Sequence, residues 1–163
     1  MITRPFLTGI QQIGIGIPDV DEAWKWYRTA FGMNVSVFDD AAEAALMTRY
    51  THGIVEKRRA ALALNMAGGG GFEIWQYTSK VPVMPDFDIR IGDLGIYAAK
   101  MKSRNVPALH EQLKNKGLPV GPLHIDPAGE RTFWITDPWG NPFQVIQGQS
   151  WFKASEELTG GVC

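Results

Sequence analysis

A glutamate in an otherwise apolar strand is the first residue of this sequence that could do chemistry. The segment GGFEIWQY places Glu73 between Phe72 and Ile74. The alternation of a strand sends Glu73 to the face opposite these two neighbours. A carboxylate on a largely apolar face is costly unless a partner answers its charge, and enzymes use such carboxylates as general bases. We therefore predict that Glu73 is catalytic.

The same strand occurs a second time near the end of the chain. The segment NPFQVIQG repeats the pattern of GGFEIWQY, with Gln144 in place of Glu73. Each copy is preceded by an alternating strand and by a helix that ends at a glycine, Gly32 or Gly117. Both copies follow the order β-α-β-β-β, which indicates an internal duplication. One module cannot bury both faces of its sheet, so we expect the two to pair.

The predicted fold class is α+β, with two tandem β-α-β-β-β modules forming a curved mixed sheet around a central cleft. We expect the first module at 9–80, a polar and proline-bearing linker at 81–93, and the second module at 94–148. The tail, 149–163, is expected to add a short helix from Trp151 to Leu158 over one edge of the sheet. The whole chain then forms a single structural domain.

Local signals predict several ends and turns. Asp19, with Glu22 three residues later, indicates the N-terminus of the first helix. The run from Gly68 to Gly71 joins two strands and no Lys-Ser or Lys-Thr pair follows it, so it predicts a hairpin turn rather than a phosphate loop. The segment AAEAALMTRYTHG, in a longer insertion of the first module, predicts a short helix.

Composition narrows the classes of function. The chain has 163 residues, a net charge of −1 and 45% hydrophobic residues, which is typical of soluble globular proteins. A charge near zero offers no basic field to nucleic acid, and no apolar run reaches the roughly 20 residues of a membrane helix. Cys163 is the one cysteine, which leaves no internal disulfide. We expect a cytoplasmic homodimer with a small-molecule ligand and no nucleic-acid or membrane partner.

Two motifs, IGIGIPDVDEAWKWYRTAFGM and ITDPWGNPFQVIQ, resemble the vicinal oxygen chelate superfamily of glyoxalases, bleomycin-resistance proteins and extradiol dioxygenases. The resemblance covers about residues 9 to 148. It implies one divalent metal ion in the cleft, held by a residue from the first and the last strand of each module. The matching positions are Gln12, Glu73, Ala98 and Gln144. The match to Ala98 depends on aligning the helix ends, and a shift of one residue would substitute Tyr97.

These four positions form a poor set of ligands for a tightly held metal ion. They include one carboxylate, two amides and no imidazole, and Ala98 has no donor atom. We therefore expect no cofactor. If a divalent metal ion does bind, its ligands would be Gln12, Glu73 and Gln144.

Two lysines could balance the charge of Glu73 in place of a metal ion. Lys100 and Lys102 follow Ala98 at alternate positions, so they share its strand face. An ion pair between Lys100 and Glu73 would place an ammonium where it could orient an anionic or carbonyl substrate. The alternative is that both lysines extend into solvent along their alkyl stems.

Aromatic side chains favour a flat ligand. Trp75 and Tyr77 share the strand face of Glu73, where a conjugated compound could stack on them, and core packing is the alternative. The predicted substrate-binding residues are Gln12, Gln144, Trp75, Tyr77, Lys100 and Ala98.

The remaining candidate site residues, which are histidines, arginines and residues of the insertion, have no partner residues at a spacing that would indicate a catalytic motif. Among the histidines, His110 is predicted on a helix surface, whereas His52 and His124 lie near loops that could rim the cleft as acids or bases. The insertion could form a lid with Met47, Arg49 and Tyr50. A carboxylate of the substrate could be bound by Arg49, Arg58 or Arg59. The alternative is that these arginines form surface salt bridges.

The first prediction for function is a glyoxalase-like enzyme that transfers a proton, in an isomerisation or elimination, without a tightly bound metal. Its substrate would be oxygenated, and aromatic or enolisable, with Gln12 and Gln144 holding the oxygens. The alternative is a non-catalytic protein that sequesters a planar molecule, as bleomycin-resistance proteins do. A further alternative is a metal-dependent dioxygenase or lyase. The cleft could form within one chain or between swapped chains of a dimer.

Overall fold

The computed structural model describes residues 9–163 and contains two successive β-α-β-β-β modules. The first module comprises β1 (Gln12–Gly16), α1 (Val20–Phe31), β2 (Val35–Glu43), β3 (Lys57–Asn65) and β4 (Gly70–Tyr77). The second comprises β5 (Ala99–Ser103), α2 (Val106–Asn115), β6 (His124–Ile125), β7 (Arg131–Thr136) and β8 (Pro142–Gln147). A final strand, β9 (Thr159–Val162), follows them.

The strands form two mixed sheets, with the orders β1-β4-β3-β2 and β6-β7-β8-β5-β9. In each module the first strand runs parallel to the last strand, and the remaining pairs are antiparallel. The predicted α+β fold of two β-α-β-β-β modules is therefore confirmed, with its strands divided between two sheets. None of the helices in residues 9–163 is long and apolar enough to cross a membrane.

The first helix begins and ends where its sequence predicts. Asp19 is the N-cap, and its Oδ1 accepts a hydrogen bond from the backbone N–H of Glu22 at 3.0 Å. Gly32 is the C-cap: it adopts a left-handed conformation with φ of 63°, and its N–H donates to the carbonyl oxygen of Arg28 in the last turn. In the second module Asn105 takes the same role, and its Oδ1 accepts from the N–H of Ala108.

The glutamine that occurs in both last strands, Gln76 in β4 and Gln147 in β8, forms a hydrogen bond at the start of the helix of its module. Gln76 Oε1 accepts a hydrogen bond from the N–H of Val20, the first residue of α1. Gln147 Nε2 donates to the carbonyl oxygen of Arg104, just before α2. The duplicated motif thus ties each last strand to the helix of its own module.

The repeated phenylalanine of these strands lies in the core. Phe72 and Phe143 are almost fully buried, and their ring centroids are 5.5 Å apart. Burying each side chain contributes about 1.5–3 kcal/mol. Phe72 pairs with Ile13 in the ladder between β1 and β4, and Phe143 pairs with Ala99 in the ladder between β5 and β8. The two modules therefore meet through equivalent residues.

This pairing also decides which residue corresponds to Gln12. Because Ala99 is the counterpart of Ile13, the preceding residue, Ala98, is the counterpart of Gln12. A match of Tyr97 to Gln12 is excluded. The helix ends are a less accurate guide because α2 spans 10 residues and α1 spans 12.

The prediction of a terminal helix from Trp151 to Leu158 is wrong. The tail instead ends in β9, which pairs antiparallel with β5 and lies against the glycine-rich turn of the first module. A Cβ at Gly68 would lie 1.4 Å from the carbonyl oxygen of Gly160. Two backbones approach this closely only where side chains are absent, and the sequence of the tail alone does not show that it has such a partner.

The turn and the insertion agree with their predictions. Residues 66–69 form the turn between β3 and β4, so the glycine run is a hairpin connection. The insertion contains a 3₁₀ helix, Ala45–Tyr50.

Candidate functional site

The strand register places Glu73 on the face of the first sheet that lies away from α1. Glu73 pairs with Gly14 of β1 on one side and with Leu62 of β3 on the other. Trp75 and Tyr77 follow on the same face, while the intervening residues of β4 point to the core. A Cβ at Gly14 would meet no atom within 4 Å, so the space beside the carboxylate is open.

Gln12 is the hydrogen-bond partner of the Glu73 carboxylate. Its side-chain Nε2 donates a hydrogen bond to Oε2 of Glu73 at 2.8 Å, and both residues are half-buried. This contact arises because β1 and β4 are parallel neighbours. Gln12 lies two residues before Gly14, the residue that pairs with Glu73, and therefore on the same face of the sheet. The carboxylate therefore has a neutral amide donor and not a cation as its partner.

The predicted lysine pair is not formed. Lys100 is exposed, and none of the ion pairs in the described part of the chain joins it to Glu73. Lys102 is only 8% exposed, so the alternative that it extends into solvent is wrong for this residue. Its Nζ donates to the carbonyl oxygen of Ser150 and lies 5.7 Å from the ring centroid of Trp151.

Gln144 has a different environment from Glu73. It pairs with Lys100 on β5 and with Trp134 on β7, and its Nε2 donates to Oγ1 of Thr132 at 3.1 Å. Within residues 9–163 no hydrogen bond connects it to Glu73 or Gln12. Its predicted role in substrate binding, like those of Ala98 and Lys100, stays a prediction.

The donor set does not fit a tightly held metal ion. In the described part of the chain, no group of three or more His, Cys, Asp or Glu residues could hold one. The amide nitrogens of Gln12 and Gln144 donate to Glu73 and Thr132, and each amide could offer a metal ion only a neutral carbonyl oxygen. Ala98, the counterpart of Gln12, contributes no ligand atom. A single carboxylate and two amides satisfy neither the charge nor the ligand types that transition metals prefer.

An apolar cavity of about 640 Å³ lies beyond Glu73, where β1 and β4 end. Its walls include Trp75 and Tyr77 of β4, Val81 and Met84 of the linker, and Trp139 of the turn between β7 and β8. Both modules and the linker therefore contribute to one cavity. Its size and its aromatic lining match those of small-molecule sites.

The aromatic side chains of β4 are not required by the fold. In the alignment of GGFEIWQY with NPFQVIQG, Ile146 is equivalent to Trp75 and Gly148 is equivalent to Tyr77. The second module thus builds the same strand without either ring. In the first module the rings contact each other edge to face at 4.5 Å between centroids.

A buried carboxylate positions Trp139. Asp137 is 4% exposed, and its Oδ1 accepts hydrogen bonds from the N–H groups of Trp139 and Asn141. Its Oδ2 accepts from the hydroxyl of Tyr27 on α1 at 2.7 Å. Burial, together with the charge of Asp137, raises the pKa of Tyr27 far above its ordinary value. The sequence predicts a turn at DPWGN but not its connection to the first helix.

Neighbouring arginines lie on opposite faces of β3. Arg59 faces α1 and forms salt bridges with Asp21 and Asp39. The predicted alternative of a surface salt bridge is therefore confirmed for Arg59. Arg58 lies on the face of Trp75 and Tyr77, directly opposite Tyr77, and forms a salt bridge with Asp40 of β2.

The prediction that His110 is a surface residue is wrong. His110 is 9% exposed, its ring lies edge-on to Phe133 at 5.1 Å, and its Nε2 donates to the carbonyl oxygen of Gly121 at 2.9 Å. This face of α2 packs against β7, which the residues next to His110 in the sequence, Leu109 and Glu111, do not reveal. His52, in a turn, and His124, in β6, are exposed.

Several solved structures have folds similar to that of this chain. A glyoxalase family protein from Bacillus cereus matches with a TM-score of 0.63 and 12% identity, covering 91% of this chain and 100% of the other. Lactoylglutathione lyase from Agrobacterium tumefaciens gives 0.53 and 18%, with coverages of 87% and 95%. The fosfomycin resistance protein FosX from Listeria monocytogenes gives 0.52 and 15%, with coverages of 88% and 95%. At these identities the matches show the fold alone.

No curated protein matches the sequence significantly. The family profile that matches spans residues 9–145, which includes the first module, all but the last two residues of β8 in the second, Glu73 and the turn that carries Trp139. The chain belongs to the Glyoxalase/Bleomycin resistance protein/Dioxygenase superfamily.

Proposed function

We propose that this protein binds a planar, oxygenated small molecule in the apolar cavity and catalyses a proton transfer on it, with Glu73 as the general base. One juxtaposition carries the proposal. Glu73, with Gln12 as its amide partner, lies two residues from Trp75 on the same strand face, and Trp75 lines the cavity. Two strand residues span about 6.6 Å, so a ligand stacked on Trp75 can extend to the carboxylate.

The hydrogen bonding of Glu73 suits a base. Gln12 engages Oε2 only, which leaves Oε1 to accept a proton from a carbon next to a carbonyl group. The protonated carboxyl then returns that proton to another atom of the same substrate, which gives an isomerisation, or to a leaving group, which gives an elimination.

We also propose that this chemistry takes place without a tightly held metal ion. The support is the donor set, since Ala98 provides no ligand atom and Gln12 and Gln144 could offer only neutral amide oxygens beside the single carboxylate of Glu73. Each of these amides carries a second N–H, which can donate to a substrate oxygen and replace a Lewis acid in stabilising its charge.

Hydrogen–deuterium exchange into enolisable aromatic ketones, followed by proton NMR in D₂O, tests the proposal. The purified protein is expected to catalyse exchange at the carbon next to the carbonyl, and Glu73→Gln is expected to abolish it. Glu130→Gln is the matched control, because Glu130 is exposed and lies outside the cavity. Unchanged exchange in Glu73→Gln would exclude this residue as the base.

A sequestering protein is the second candidate, and one observation favours it. Glu73 is not among the residues that line the apolar cavity, so a ligand held by Trp75, Tyr77 and Trp139 need not touch the carboxylate. Binding of planar compounds without catalysed exchange, and with equal affinity in Glu73→Gln, would support this function over catalysis.

We further propose that the protein forms a homodimer. The linker and the residue that follows it expose large apolar side chains, with Val83 at 95% and Leu94 at 106% relative exposure. Contiguous exposed apolar residues are typical of interaction surfaces. Light scattering coupled to gel filtration tests this, and a Val83→Ser, Leu94→Ser variant is expected to elute as a monomer.

A further inference from the structure

We propose that the ligand of the apolar cavity is a planar carboxylic acid, whose anionic group is recognised at the Tyr77 end of the cavity by Lys80, with Arg58 as the second cation. This inference rests on the proposed function, because it names the class of molecule that the same cavity takes. Three observations support it: the position of Lys80, the position of Arg58, and the distribution of charge along β4.

Lys80 stands at the edge of the cavity wall. Its Nζ lies 4.5 Å from the ring centroid of Tyr77, and the next residue, Val81, lines the cavity. The nearest acidic group is Glu56, whose Oε1 is 4.0 Å away, at the outer limit of an ion pair. The ammonium is therefore held beside the aromatic wall by the ring and only weakly engaged by a carboxylate.

Arg58 lies beside Tyr77 on the neighbouring strand, with its guanidinium on Asp40 of β2. It pairs directly with Tyr77 between β3 and β4, so its side chain leaves the sheet on the cavity face. Its salt-bridge partner, Asp40, has a side chain that is 55% exposed. Solvent weakens such a pair. The guanidinium also donates to the backbone carbonyl oxygen of Asp40 at 3.2 Å, so turning toward an anion on the ligand exchanges these two contacts for one with the ligand. Its planar fork suits a carboxylate.

Charge is distributed unevenly along this face of β4. Glu73 lies at one end and the rings of Trp75 and Tyr77 follow. The two cations lie beside Tyr77, where Asp40 and Glu56 offset part of their charge. From Glu73 to Tyr77 the strand spans about 13 Å. An anionic group is repelled at the Glu73 end and attracted at the Tyr77 end, so an aromatic acid binds in one orientation. Its far end then points toward the proposed base.

Binding of 2-naphthoate and of its neutral isostere 2-naphthamide tests the inference. Dissociation constants are measured by quenching of tryptophan fluorescence and by calorimetry, at low and at high salt. The acid is expected to bind about tenfold more tightly than the amide at low salt, and the difference is expected to shrink at high salt because both cations are partly exposed.

The variants separate recognition of charge from recognition of shape. Lys80→Gln is expected to weaken binding of 2-naphthoate about fivefold, a typical effect of a partly exposed ion pair, with little change for 2-naphthamide. Arg58→Gln should act in the same direction, and Lys80→Arg should restore affinity for the acid. Lys25→Gln, on the exposed side of α1, is the matched control. Circular dichroism and thermal melting verify that each variant is folded.

Each outcome has a distinct meaning. Equal affinities for the acid and the amide, or equal losses for both in Lys80→Gln, would overturn the recognition of the anion and leave the cavity site intact. Failure of both compounds to bind would overturn this inference together with the proposed function.

Discussion

The hydroxyl of Tyr27, on the first helix, donates a hydrogen bond of 2.7 Å to Oδ2 of Asp137, in the turn of the second module. The same carboxylate fixes the backbone N–H of Trp139, a residue of the cavity wall. One buried contact therefore joins the two modules and sets one wall of the ligand site. Its loss should affect stability and binding together.

Tyr27→Phe should lower the free energy of unfolding by about 1–3 kcal/mol, because it leaves a buried oxygen of Asp137 with one donor fewer. It should also weaken binding of 2-naphthamide, since the turn that carries Trp139 is held less firmly. Urea denaturation and fluorescence titration measure the two effects. Tyr50→Phe, at a site that is 70% exposed, is the control and should change neither.

Trp75→Leu should weaken binding of 2-naphthamide about tenfold, the effect of losing one aromatic stacking surface. The structure should tolerate this change, since the second module builds the equivalent strand with Ile146. Fluorescence is less useful in this variant, so calorimetry is the measurement. Undiminished affinity would show that the aromatic face of β4 is not the binding surface.

Gly68→Ala should displace β9 from the glycine-rich turn, because a Cβ there would lie 1.4 Å from the carbonyl oxygen of Gly160. We expect faster amide hydrogen exchange in residues 159–162 and a lower melting temperature. Gly14→Ala is the control for stability, since its Cβ would meet no atom within 4 Å. Equal exchange in the two variants would argue against the close contact.

The pKa values of Asp21 and Asp39 depend on Arg59, whose hydrogen bonds hold both below the ordinary value for aspartate. A lowered pKa in the folded state stabilises the fold above the unfolded-state pKa of about 3.9, and this contribution disappears as the pH falls further. Arg59→Gln should bring both pKa values back toward the ordinary value in an NMR titration. Arg58→Gln, whose salt bridge is with Asp40, should leave them unchanged.

Dialysis against a strong chelator should leave both binding and any catalysed exchange unaltered, because the donors around Glu73 do not fit a tightly held ion. Calorimetry with Zn²⁺, Mn²⁺, Ni²⁺ and Fe²⁺ measures affinity directly. Micromolar binding that is lost in Glu73→Ala would contradict the proposal of metal-independent chemistry.

The sequence alone was sufficient for the duplicated architecture. Alternating residues in β4 and β8 predicted which side chains face the core, and Asp19 and Gly32 predicted the ends of α1, because strand faces and helix caps depend on nearby residues. The repeat itself predicted the pairing of two modules. The family resemblance that accompanied these motifs is confirmed by the match over residues 9–145.

Tertiary structure decided which distant groups meet. Gln12 rather than Lys100 contacts Glu73, Tyr27 holds the turn of Trp139, and β9 lies on the glycine run. The burial of His110 likewise depends on the packing of α2 against β7. Periodicity reports the face on which a side chain lies, but strand order and module packing determine its neighbour. The charge and the walls of the ligand site are therefore properties of the folded chain.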